Sequence, residues 1–175
     1  MKILVVGGSK SGKSEIAEEI AKKLAGGKKC IYIATMMPVD DEDIKRIDAH
    51  VERRAADFDT VECGRDISSV IKTTDPGATV LLDSVTTLHA NEFFPRENNF
   101  LIDEYAPLRC KRDLLELANS VKNIVFVIDD IFSDAVRYDE TTEAFRHGLG
   151  YIGSALASEC DEVIEAKFGI KIKLK

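Results

Sequence analysis

The sequence predicts an α/β fold in which a mostly parallel sheet is flanked by helices and finished by a C-terminal antiparallel hairpin. Three observations predict it. Short apolar runs alternate with longer helical patterns, as strands and covering helices do. The first run ends in Gly7-Gly8-Ser9-Lys10-Ser11-Gly12-Lys13-Ser14, a glycine-rich turn between strand and helix. The chain has 175 residues, 45% hydrophobic and 31% charged, which suits one globular domain spanning 1–175.

The elements follow in order. Ile3–Val6 is apolar at every position, the mark of a strand buried on both faces of a parallel sheet. Ser14–Ala25 is a helix opened by the glycine-rich turn, and Cys30–Ala34 is the second strand. Asp41–Ala55 reads as a helix because Asp40, Asp41, Glu42 and Asp43 place carboxylates at its positive end. Ile44, Ile47 and Val51 then form an apolar stripe at spacings of three and four. Thr60–Cys63 is a strand, Asp66–Thr73 a helix, and Asp75-Pro76-Gly77 a turn built from residues that favour bends. Thr79–Asp83 is a strand, Val85–Phe94 a helix, Pro95–Asn99 an exposed polar loop, and Asp103–Val121 a further helix. Asn123–Asp129 is the fifth strand and Glu140–Glu159 a long helix. In the last segment, Asp161–Lys175, two strands join at Phe168-Gly169. There Ile170, Ile172 and Leu174 alternate with Lys171, Lys173 and Lys175, the pattern of a half-buried edge strand with a charged outer face.

Composition narrows the function classes. No apolar run is long enough to span a bilayer. Lys2 is followed by too short an apolar stretch for a secretory signal, so a cytoplasmic protein is expected. With 24 basic and 31 acidic residues, a net charge of −7 argues against a general nucleic-acid surface. Cys30, Cys63, Cys110 and Cys160 are scattered without metal-ligand spacing and read as reduced, incidental thiols.

Gly7-x-x-x-x-Gly12-Lys13-Ser14, with a strand before it and a helix after it, is a phosphate-binding loop in its required context. Gly7 and Gly12 free the backbone to aim successive N–H groups into one concavity. Lys13 offers a point charge to the terminal phosphates and Ser14 a hydroxyl for Mg²⁺, both backed by the helix dipole. Asp83, at the end of a strand, has two readings: a carboxylate that holds the metal, or, with Ser84, a cap for the following helix. Asp129 and Asp130 face the site if the sheet is doubly wound, or else lie in a solvated turn. His50 stands among Arg46, Arg53 and Arg54, whose charge disfavours the imidazolium and leaves a nucleophilic neutral ring. Its other reading is a surface histidine on an amphipathic helix. His89 and His147 lack such surroundings and read as structural or exposed.

Taken together the motifs resemble one family. Gly7–Ser14, Tyr32-Ile33-Ala34-Thr35, Arg46-Ile47-x-x-His50-x-x-x-Arg54, Thr60-x-Glu62 and Leu82-Asp83-Ser84-Val85-Thr86-Thr87-x-x-x-Asn91 occur in the order and spacing of the bifunctional adenosylcobinamide kinase/adenosylcobinamide-phosphate guanylyltransferases of cobalamin biosynthesis. The similarity continues more weakly through Phe145-Arg146-x-x-x-Gly150, Cys160-Asp161-Glu162-Val163 and the Gly169–Lys173 ending. The resemblance implies a RecA-like phosphate-loop fold, often a homotrimer, with ATP, GTP and adenosylcobinamide as substrates and Mg²⁺ as cofactor. It implies phosphorylation of adenosylcobinamide, then transfer of GMP from GTP, through a guanylylated His50, to give adenosylcobinamide-GDP. Lys13 and Arg54 are the implied charge stabilisers. The implied nucleotide site comprises Gly7, Gly8, Ser9, Lys10, Ser11, Gly12, Lys13, Ser14, Ala34, Thr35, Arg53, Arg54, Glu62 and Asp83, with Ser14 and Asp83 also on the metal.

The sequence also departs from that pattern. Ile128-Asp129-Asp130-Ile131-Phe132 replaces the family's Thr-Asn-Glu-Val-Gly, Gly153-Ser154 its Asn-Gln pair, His147 an acid, Ala55 a proline and Phe58 a tryptophan. These positions touch the second-substrate side more than the phosphate loop. A nucleotide-driven regulatory protein on a RecA-like scaffold and a single-activity small-molecule kinase therefore stay open as alternatives.

Overall fold

Six parallel strands and one antiparallel strand form a single sheet in the order β3-β2-β4-β5-β1-β6-β7. The computed structural model of the chain describes residues 1–38, 51, 54, 56–96 and 101–175. Its strands are β1 (Lys2–Gly7), β2 (Cys30–Ala34), β3 (Phe58–Glu62), β4 (Thr79–Asp83), β5 (Asn123–Asp129), β6 (Glu162–Lys167) and β7 (Ile170–Lys173). The described helices are α1 (Lys13–Ala25), α2 (Ser68–Ile71), α3 (Val85–Phe93), α4 (Ala106–Ser120) and α5 (Glu140–Glu159). Of the helix expected over 41–55, only Val51 and Arg54 are described, and both are helical. Most of the loop expected over 95–99 likewise lies outside the described residues.

Alternation along the strands divides the core into two layers. Ile3 and Val5 of β1, Leu81 of β4 and Val125 and Val127 of β5 pack with Ile16, Ala17 and Ala21 of α1. The neighbouring residues Leu4, Leu82, Ile124, Phe126 and Ile128 face the other way, onto Leu88 of α3, Leu114 and Leu117 of α4, and Leu149, Ile152 and Leu156 of α5. Central β5 is buried along its length up to Ile128, which is why it reads as an unbroken apolar run.

Local chemistry sets the helix ends. Gly12 adopts φ 88° at the start of α1 and Gly26 φ 61° just past its end, where its N–H donates to Lys23 O. Asp139 caps α5, its side chain accepting from the N–H groups of Thr141 and Thr142 at 3.0 and 3.1 Å. The helix expected over Asp66–Thr73 shortens to α2. Asp66 takes φ 50°, and Val70 O gathers the N–H groups and the hydroxyls of both Thr73 and Thr74, which closes the helix there.

The C-terminal hairpin forms as expected, with Phe168 (φ 52°) and Gly169 (φ 73°) supplying the left-handed pair that a tight two-residue connection requires. The predicted half-burial of its last strand does not hold. Every residue of β7 is exposed, with Ile170 at 62% and Ile172 at 40%. Alternation shows which side chains share a face, not whether another layer covers it. The four cysteines are free and buried. Burial pushes the Cys110 thiol up to about 12 and the Cys160 thiol up to about 11, so both are inert neutral groups at neutral pH.

Candidate nucleotide site at the phosphate loop

β1 delivers the chain to the phosphate loop at the carboxyl edge of the sheet, between β5 and β6. Gly7 has no room for a side chain: a Cβ there would lie 2.5 Å from Ser11 Oγ and 2.8 Å from Ala166 O. Gly12 takes a left-handed φ, as does Lys10 at φ 58°, the kind of backbone that forms anion-binding nests. The loop is held from three sides. Ser11 N donates to Gly8 O at 3.3 Å, Asp130 N to Gly7 O at 3.0 Å, and Gly169 N, from the hairpin tip, to Ser11 O at 2.9 Å.

A cavity of about 380 Å³ opens over this loop. Lys10, Ser11, Gly12, Lys13 and Ser14 form one wall, Tyr32, Ala34, Thr60 and Asp83 the sheet edge, and Val51 and Arg54 the side facing them. Ser11 Oγ is buried without a hydrogen-bond partner among the described residues, an orphaned polar atom in a cradle of N–H groups that an anion would satisfy. Lys13 Nζ donates to Gly8 O at 3.2 Å and pairs with Asp129 Oδ1 at 2.7 Å.

Asp83 and Ser84 divide the two readings of that dipeptide. Ser84 is the cap of α3, its Oγ accepting from Thr87 N at 3.2 Å. The Asp83 carboxylate turns instead to the cavity, where Oδ2 accepts from the Tyr32 hydroxyl at 2.8 Å. Burial and the Asp83 charge together push the Tyr32 phenol well above its ordinary range, so it stays a donor. Ser14 and Asp83 thus line one cavity as oxygen donors. Mg²⁺ in nucleotide sites takes one or two protein oxygens and completes its shell with phosphates and water, and this donor set fits it. No cluster of three or more metal-ligating side chains occurs among the described residues.

Arg54 is anchored twice. Its Nε donates to Glu18 Oε1 at 2.7 Å, and its guanidinium lies over the Tyr32 ring. Thr35 does not line the cavity. It is fully buried, and its Oγ1 accepts from Ser84 N at 2.8 Å and donates to Ser84 O at 2.9 Å, so it fixes the turn that carries Asp83. Glu62 sits exposed at the end of β3, in register with Ala34, on the same strand face as Thr60. His50 and Arg53 lie outside the described residues. Sequence reasoning missed Tyr32 as the shelf joining Asp83 to Arg54, because one aromatic in an apolar strand reads as core. It also missed Glu18, whose acid in the second turn of α1 looks like any solvated helix residue.

The model of the family described as "Cobinamide kinase / cobinamide phosphate guanyltransferase" matches residues 3–174. The chain is 32% identical over 185 residues to the bifunctional adenosylcobalamin biosynthesis protein CobU of Salmonella typhimurium, and the match covers 100% of both chains. It is 30% identical over 184 residues to the protein of that name from Escherichia coli strain K12, again over 100% of both. Among solved structures, the KaiC-like protein PH0186 from Pyrococcus horikoshii aligns with a TM-score of 0.51 at 13% identity, over 94% of this chain and 71% of that one, a likeness of fold.

Proposed function

We propose, from the premise that this chain belongs to the cobinamide kinase / cobinamide phosphate guanyltransferase family, that it carries out both reactions on one nucleotide site. The first transfers the γ-phosphoryl group of ATP or GTP to a hydroxyl of adenosylcobinamide. The second transfers GMP from GTP to the resulting phosphate, giving adenosylcobinamide-GDP.

The observation that carries this reading is the make-up of the cavity. Val51 and Arg54, which follow His50 in the sequence, line the same space as Lys13, Ser14 and Asp83. In the proposed transfer the neutral imidazole of His50 attacks the α-phosphorus of GTP and pyrophosphate leaves. The substrate phosphate then attacks that phosphorus and releases the imidazole. The loop N–H groups and Lys13 hold the phosphate chain, Arg54 offsets charge that builds on it, and Ala34, Arg53 and Glu62 border the nucleotide. Thr35 acts through Ser84, holding Asp83 in place. Mg²⁺ on Ser14 and Asp83, when bound, neutralises phosphate charge. The same reading carries a homotrimer and a cytoplasmic site of action.

Intact-mass measurement after incubation with GTP and Mg²⁺ tests it. The expected result is an acid-labile increase of one GMP, lost in His50→Ala and kept in His147→Ala, together with ATP-dependent phosphorylation of adenosylcobinamide. A chain that binds GTP but gains no mass, or gains it without His50, overturns the guanylyl-transfer mechanism.

A further inference from the structure

Of the acids on α1, one is set apart by its depth. Glu15 and Glu19 are exposed. The Glu18 side chain is only 13% exposed, and its Oε1 accepts from Nε of Arg54, whose side chain is 10% exposed, at 2.7 Å. Glu18 follows Ser14 by four residues and precedes Lys22 by four, so the three share one face of the helix. Ser14 lines the nucleotide cavity, Glu18 takes Arg54, and Lys22 Nζ reaches Asp57 Oδ2 at 3.3 Å. The helix behind the phosphate loop thus meets the chain at both Arg54 and Asp57. Beyond Arg54 the backbone is tied down as well: Asp57 N donates to Arg54 O and Cys30 N to Asp57 O, each at 2.9 Å.

An ion pair set this deep adds little net stability, because the cost of desolvating both charges offsets their attraction. What it fixes is direction. A guanidinium is a rigid fork of five N–H donors, so a carboxylate on Nε, with the Tyr32 ring against the guanidinium plane, sets its orientation and leaves donors for an anion. Arg54 lines the nucleotide cavity, and Glu18 stands behind it, outside the lining. Arg54 also lies four residues after His50 in the sequence, so a bond that fixes Arg54 fixes the chain that leads to the proposed nucleophile.

Resting on the guanylyl transfer proposed above, we infer that Glu18 is a positioning residue for that step and acts through Arg54. Its carboxylate holds the guanidinium over the phosphate chain while the imidazole nitrogen bonds to the α-phosphorus and the bond from that phosphorus to the pyrophosphate oxygen breaks. Pyrophosphate leaves with the electron pair, and Arg54 meets the charge that builds on it. Glu18 itself touches neither nucleotide nor nucleophile.

The test uses the full chain with GTP, ATP, ADP and adenosylcobinamide. Glu18→Ala is expected to slow the single-turnover gain of GMP at saturating GTP by roughly ten- to hundredfold, the scale of a misplaced catalytic group. ADP affinity, set by the phosphate loop, should change little, and phosphoryl transfer from ATP should fall far less than guanylylation. Glu18→Gln keeps an acceptor for Nε and should recover part of the rate. In an Arg54→Ala background, Glu18→Ala should cost no more than about a further twofold, since a residue acting only through Arg54 has nothing left to position. An unchanged guanylylation rate overturns the inference. So does an equal loss of both steps, a parallel loss of ADP binding, or full additivity with Arg54→Ala. Should the alanine variant not fold, Glu18→Gln and its double variant with Arg54→Ala decide the same question. A wild-type chain that gains no GMP overturns guanylyl transfer itself, whereas normal wild-type gain with indifferent Glu18 variants overturns the positioning role alone.

Discussion

The guanidinium of Arg54 lies 3.9 Å from the centroid of the Tyr32 ring, over the one aromatic side chain that lines the nucleotide cavity among the described residues. Through the Tyr32 hydroxyl the contact continues to Asp83, and through Arg54 Nε to Glu18 on α1. Four residues from four separate elements are thereby tied into one strip, from the strand that ends at Asp83 to the helix behind the phosphate loop. An ion pair on one side and an aromatic face on the other hold the cation at the cavity wall.

The two functions of Tyr32 separate by mutation. Tyr32→Phe keeps the shelf under Arg54 and loses only the bond to Asp83, while Tyr32→Leu loses both. A cation–π contact at a partly desolvated site contributes about 0.5–2 kcal/mol. The leucine variant is therefore expected to weaken GTP binding by roughly 2–30-fold, and the phenylalanine variant by less. Titration calorimetry with GTP checks the order; equal losses in the two variants refute the shelf.

Thr35 gives a prediction about the frame of the site. Its hydroxyl is the partner of both backbone groups of Ser84 in a fully buried setting. Thr35→Val leaves the buried N–H of Ser84 unmatched, while Ser84 O keeps only the N–H of Leu88, at a cost of about 1–3 kcal/mol. For a chain of this size that is a fall in Tm of roughly 3–10 °C. Thr35→Ser keeps the hydroxyl and should recover most of it, and a melting curve for each variant decides the matter.

Gly12 joins the phosphate loop to the C-terminal hairpin. At φ 88° an added Cβ is strained, and it would also stand 3.2 Å from the Cα of Gly169. Gly12→Ala is expected to cost about 1–2 kcal/mol of stability and, by shifting the N–H cradle, at least tenfold in nucleotide affinity. A variant that binds ATP normally would show that the cradle tolerates the shift.

How much of this was legible in the sequence depended on the range of the interaction. The phosphate loop, the central strands and the long helix are local patterns, so Gly7–Ser14, the apolar run of β5 and the span Glu140–Glu159 of α5 could be read residue by residue. The placement of Asp83 needed a choice between two local chemistries, and the adjacent Ser84 takes the cap because its short hydroxyl reaches Thr87 N. Pairings across the sheet were not legible. Nothing near Asp129 in the sequence points to Lys13, because a parallel register puts Gly7 beside Asp129 only after the fold is closed. The exposure of β7 was missed for a related reason: its pattern specifies a face, but covering that face depends on elements elsewhere in the chain.

His89 makes the stability of the fold depend on pH. It is wholly buried, stacked on Phe145 with centroids 4.8 Å apart, and its Nε2 lies 3.3 Å from Phe145 O. Desolvation holds its pKa down to about 4, against 6.5 for an exposed histidine. The unfolded chain therefore takes up a proton below about pH 6.5 that the native chain refuses until about pH 4. Stability from this group is complete above pH 6.5 and falls as the pH drops through that window, by about 3 kcal/mol in all. His89→Leu removes the ionisation and should flatten that part of the profile, while losing some packing against Phe145 at neutral pH. Urea unfolding of both proteins between pH 4 and 7 reads the difference, and parallel profiles would mean that His89 is not the group responsible.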